Sequence, residues 1–153
     1  MNAMSLTRDT ADEFRNRINE LTPESERIFG KMDVAQMMRH MRLSLDTATG
    51  KETVPDKSTP LVRNVLFFLT CHVMTTWPGG KIKAPDYWSP PAEHGFDEER
   101  KLLLDAIDPF LDKLEQDPGF VASNPVLGPL NQEKWSRLLG IHFKHHLRQF
   151  SVN

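Results

Sequence analysis

The stretch Trp135-Ser-Arg-Leu-Leu-Gly-Ile-His142-Phe143-Lys144-His145-His146-Leu147-Arg148-Gln149-Phe150 decides how this 153-residue chain is read. At about 100° per residue, Trp135, Leu139, His142 and His146 lie within roughly 60° of one another, and Gln149 points the same way. Lys134, Arg137, Lys144 and Arg148 gather on a different side, and His145 falls on the border between the two sets. The pattern predicts an amphipathic helix over residues 131–150, with Asn131 as its cap and Gln132 and Glu133 in its first turn.

Two imidazoles four positions apart on a helix differ by about one turn in height, so His142 and His146 can grip one metal ion from the same face. Histidines near a helix C-terminus also serve simply as surface cations beside the dipole, so the spacing leaves both readings open. A third ligand has to come from elsewhere, and His40 in Lys31-Met-Asp-Val-Ala-Gln-Met-Met-Arg-His40 is the leading candidate. On its own helix His40 lies roughly 100° from the Met-rich stripe, which equally suits a flanking, hydrogen-bonding histidine. Neutral imidazole suits zinc or nickel, and three such ligands leave an open position. An open divalent site lowers the pKa of a bound water to about 7 or holds a thiolate, which supplies a nucleophile without a separate base.

Outward from these residues, helical spacing recurs. Phe14, Ile18 and Leu21 mark a short helix over 11–21, ended by Thr22-Pro23. Asp33 with Gln36 reads as a capping box opening a helix that runs to Gly50 through Val34, Met37, Met38, Met41, Leu45 and Ala48. After a polar connection over 51–60, residues 59–76 read as a buried third helix. Residues 97–115 read as a fourth, with Leu103, Leu104, Ile107, Phe110, Leu111 and Leu114 inward and Asp117-Pro118-Gly119 closing it. No segment sustains two-residue alternation, so an all-α fold is expected and a sheet is not. Residues 77–96 and 119–130 are long, Pro- and Gly-rich loops, the first either a seal for the bundle's end or a lid.

Composition is that of one globular domain spanning 1–153. Nineteen basic and twenty-one acidic side chains nearly cancel, giving no whole-chain electrostatic case for nucleic acid or membrane. A basic side formed by Lys134, Arg137, Lys144 and Arg148 carries no recognised nucleic-acid motif. The apolar run within 61–77 is interrupted by Arg63, Asn64 and His72 and is too short to span a bilayer. The lone cysteine, Cys71, has no internal partner and reads as core. With no signal peptide at the start, a reducing, cytoplasmic setting is expected.

Four segments together carry a resemblance: Arg17-Ile-Asn-Glu-Leu-Thr-Pro-Glu24, Gly30-Lys-Met-Asp-Val-Ala-Gln-Met-Met-Arg-His40, Asn124-Pro-Val-Leu-Gly-Pro-Leu130, and Trp135 through Phe150. They resemble a bacterial branch of the DinB/YfiT-like superfamily catalogued as a domain of unknown function, over most of the chain from about Ala11, with residues 51–120 the least distinctive. The resemblance implies a four-helix bundle with an added short N-terminal helix and long Pro-rich loops, often dimeric. It also implies a divalent metal held by His40, His142 and His146. Some relatives transfer or isomerise substrates with a low-molecular-weight thiol, and others are described as metal-dependent hydrolases.

The expectation is therefore a metal-dependent enzyme acting on a small-molecule substrate, with a zinc or nickel ion activating water or a thiol. The alternative is a non-catalytic binding or stress-response module stapled by its metal. Gln149 is the candidate to orient a metal-bound water or a substrate carbonyl. Gln36 reads as a cap member. Lys81 and Lys83 read as solvated lysines within reach of a substrate carboxylate.

Overall fold

The computed structural model describes residues 4–74, 76–81 and 83–153, apart from the side chains of Thr70 and Cys71, so the reading of Cys71 as core lies outside the described residues. Among the described residues five α-helices dominate: α1 (Arg8–Asn19), α2 (Val34–Thr49), α3 (Phe96–Asp105), α4 (Ile107–Gln116) and α5 (Gln132–Gln149). A small antiparallel hairpin, β1 (Val121–Asn124) and β2 (Gly128–Asn131), precedes α5.

α2 is central. It packs against α3, α4, α5 and β1, while α1 bridges α3 and α5, so α2, α3, α1 and α5 contact one another in a ring. The methionine stripe Met37, Met38 and Met41 is fully buried there, with Phe14 and Ile18 of α1 and Trp135, Leu139 and Phe143 of α5. Local chemistry fixes both ends of α2. The Asp33 carboxylate accepts the Gln36 amide at 2.8 Å, and Gly50 takes the left-handed conformation at φ 81° that closes a helix. The Gln36 side chain does not complete a reciprocal box; its amide donates to the Ser89 carbonyl at 3.1 Å.

Three expectations are corrected. The predicted single helix over 97–115 breaks at Ala106, between α3 and α4. Pro109 lies three residues on, and a continuous helix would have no amide there to bond Asp105 and would drive the ring into that carbonyl. The segment expected as a buried helix over 59–76 winds as two π-helical pieces, Val62–Leu66 and Phe68–Val73. Its wider turn breaks the 3.6-residue spacing. Phe67 reaches the core, whereas Leu61, Val65, Phe68, Leu69 and Val73 face outward.

The expectation of no sheet is overturned by the β1–β2 hairpin. The Asn124 side-chain oxygen accepts from the amides of Val126 and Leu127, at 2.9 and 3.0 Å, and Gly128 supplies the positive φ, 72°, that turns the chain back. Strands of four residues are too short for alternation to register, and Pro129 within β2 masks them further. β2 then runs straight into α5, whose cap is the Asn131 side chain on the Lys134 amide at 3.0 Å.

No helix among the described residues is long and apolar enough to cross a membrane.

Gly140 is where the chain's start crosses α5: the Leu6 amide donates to the Ser136 carbonyl at 2.8 Å, and Leu6 is fully buried. A Cβ on Gly140 would run into the Met4 carbonyl oxygen. In an open helix Gly→Ala gains about 1 kcal/mol. Here Gly140→Ala is expected to lose roughly 1–3 kcal/mol, because backbone has to move. Urea unfolding checks the sign; a stabilised variant would contradict the close crossing.

Candidate metal centre

His40 projects from the middle of α2, and His142 and His146 from successive turns of α5. Their exposures are 1, 5 and 5 %. Ring centroids are 4.7 Å apart for His40–His142, 4.7 Å for His40–His146 and 4.6 Å for His142–His146, each pair edge-on. One nitrogen from each ring falls within 4.8 Å of the others. The three residues proposed from the sequence as ligands are thus brought together.

The partners of the outer nitrogens set the tautomers of two rings. His40 Nδ1 lies 2.6 Å from the Trp88 carbonyl, which can only accept, so this nitrogen carries the proton. His146 Nδ1 lies 3.0 Å from Gln149 Oε1. The Gln149 amide is oriented by its own donation to the Phe29 carbonyl at 2.9 Å, so His146 donates there too. Ser44 Oγ lies 3.3 Å from the His40 carbonyl and 3.4 Å from His142 Nδ1, and its one proton serves either acceptor, so His142 takes either tautomer. His40 and His146 therefore spend their N–H outward, which leaves the Nε2 of each bare.

His40 Nε2 and His142 Nε2 are 2.8 Å apart. In one tautomer His142 Nε2–H donates to the bare His40 Nε2; in the other both nitrogens offer lone pairs, and a cation between them relieves their repulsion. Burial opposes a charged ring here, pushing His40 down to about 4. Burial, reinforced by the neighbouring rings, holds His142 and His146 well below the ordinary histidine value. A divalent ion fits the donor set: three neutral imidazole nitrogens, each with its other nitrogen hydrogen-bonded.

The loop carrying Trp88 is itself anchored. Glu99, fully buried in the first turn of α3, accepts from the Glu93 and His94 amides at 2.9 and 3.1 Å and from Arg42 at 3.3 Å. Arg39 and Arg42 of α2 both reach Glu93, at 3.1 and 3.2 Å. This clamp holds the Trp88 carbonyl over His40. Gly30 approaches Gln149 so closely that a Cβ would meet its amide nitrogen, and at φ 80° it lies where glycine is favoured.

The cluster opens on a cavity of about 670 Å³ walled by Phe29, Trp77, Trp88 and Leu138, with Lys31 and Lys83 also on its lining. The volume is that of a small-molecule site. His145, on the border of the helical wheel, lines the same cavity and is 6 % exposed. Gln149, expected to face water or substrate, has both ends of its amide occupied.

Sequence reasoning missed the Trp88 carbonyl, Ser44 and the Arg42–Glu99 clamp. Ser44, one turn beyond His40, was detectable by spacing; a backbone carbonyl on a loop leaves no signal.

The chain matches, over residues 1–153, the family described as "Protein of unknown function (DUF1569)", and belongs to it. No curated protein and no solved structure matches it.

Because the folded state keeps these rings neutral below the 6.5 at which the unfolded chain binds protons, the unfolded state takes up more protons as pH falls. Stability of the metal-free protein is fully present above about pH 6.5 and declines toward pH 4. His40 alone contributes a loss of roughly 2 kcal/mol between pH 7 and pH 5. Urea midpoints of chelator-treated protein across that range check it. A flat profile would mean that the rings are solvated.

Proposed function

We propose that this protein is a metal-dependent enzyme in which His40, His142 and His146 hold one divalent ion, zinc or nickel, beside a cavity that receives a small-molecule substrate. The observation that carries the reading is the convergence of one nitrogen from each of three buried imidazoles, two of them 2.8 Å apart, with every Nδ1 engaged outward. A bound ion would supply Lewis acidity, making water or a low-molecular-weight thiol nucleophilic near neutral pH. The reaction class is hydrolysis or thiol-dependent group transfer.

The chain's own residues do the rest. The Trp88 carbonyl, Ser44 and Gln149 orient the three rings. Trp77, Trp88 and Leu138 exclude water and give an apolar substrate body its contact area. Gln149 acts through His146 and is a positioning residue, since its amide is spent on His146 and on Phe29. The same ligand pattern and the ring of α2, α3, α1 and α5 support placing the family in the DinB/YfiT-like superfamily as a four-helix bundle.

Elemental analysis of protein purified without chelator or metal-affinity resin is expected to find one divalent ion per chain, lost in His142→Ala and His146→Ala. Unchanged metal content in both variants would remove the proposal. Gln149→Leu is expected to weaken metal affinity about 10- to 100-fold while retaining the ion at saturation. Turnover of ester and thiol-acceptor panels that disappears on chelation and returns with metal would establish catalysis. A metal-loaded protein inert across both panels would leave only a metal-stapled scaffold.

A further inference from the structure

His145 is the one histidine of the cavity that the metal centre does not use. Its ring lies edge-on to His146, with centroids 5.0 Å apart, and tilts against Phe29 and Trp77 at 5.3 and 5.5 Å. It is more than nine-tenths buried. Its nitrogens do not join the converging set formed by His40, His142 and His146. The His145 ring hydrogen-bonds the Trp77 backbone, but where the other three rings have engaged their Nδ1 atoms, His145 Nδ1 itself is buried with no hydrogen-bond partner. Buried polar atoms are almost always satisfied, so an unsatisfied one on the wall of a cavity points to a group that arrives with the ligand.

We infer that His145 is a substrate-contacting residue, hydrogen-bonding a second polar group on a small ligand whose first donor atom is directed at the metal. The ligand class is bifunctional: a thiol or oxygen donor with a hydroxyl, amide or similar group a few bonds away. With the ring's N–H given to the Trp77 carbonyl, the bare Nδ1 accepts, so it suits a hydroxyl or amide group that donates. The aromatic rings on either side hold the imidazole in place, which favours one position of the second group over others. The inference rests on the metal reading above, and its test separates the two.

The experiment uses the full chain loaded with cobalt(II) and titrated optically with 2-mercaptoethanol and with 1-propanethiol, which replaces the hydroxyl by a methyl group. Wild-type protein is expected to prefer the hydroxyl-bearing thiol. In His145→Phe that preference should fall about tenfold, the value of one hydrogen bond, with cobalt affinity held and 1-propanethiol affinity nearly so. His145→Gln, which keeps polar atoms at the site, should restore part of the preference. A preference absent from the wild type, or unchanged in His145→Phe, overturns the inference. Loss of cobalt from both His145 variants overturns it differently, by making His145 a fourth ligand. Failure of the wild type to bind cobalt would bring down the metal reading itself.

Discussion

Three buried imidazoles turn one nitrogen each toward a common point and have the other engaged outward. That constraint organises the structure. The Trp88 carbonyl, the Ser44 hydroxyl and the Gln149 amide fix the direction of each ring, and desolvation keeps the rings neutral. A site so arranged is complementary to a cation that brings no proton equilibrium of its own.

The acceptors sit on three different parts of the chain, and each is held by a separate device. Residues 89–94 are tied to α2 and α3 through Gln36, Arg39, Arg42 and Glu99. The Phe29 carbonyl is brought to the end of α5 by the Ile28 amide bonding the Gln149 carbonyl at 2.8 Å, and Gly30 leaves room for the contact. The charged clamp is expensive: Arg39 Nε and Nη1 and Arg42 Nε are buried without hydrogen-bond partners. Buried ion networks seldom add stability over apolar packing, and their better-attested use is to specify one arrangement. Here that arrangement is the one that aims His40.

How far the sequence foretold this depends on the type of signal. α2 and α5 were legible because long apolar periodicity and side-chain caps, Asp33 and Asn131, act locally. His142 and His146 were legible for the same reason, being one turn apart on a strongly patterned helix. His40 was not placed by periodicity, which set it beside the methionine stripe; α2 is buried nearly all round, so a position off the stripe still faces protein. The resemblance to a known superfamily, not spacing, put it with the other two. The π-wound segment defeated a rule built on 3.6 residues per turn, and the hairpin fell below the length at which alternation is visible. Pro109 is the signal for the α3–α4 break, but the reading of 97–115 followed the apolar spacing alone.

The account stands or falls on whether one ion is gripped by all three rings at once. X-ray absorption at the metal edge of the zinc-loaded protein measures this without a substrate. Three histidine nitrogens at about 2.0–2.1 Å, with imidazole outer-shell scattering, are predicted. A shell with two or fewer imidazoles, or one unchanged by His40→Ala, would contradict the convergence on which the whole reading depends.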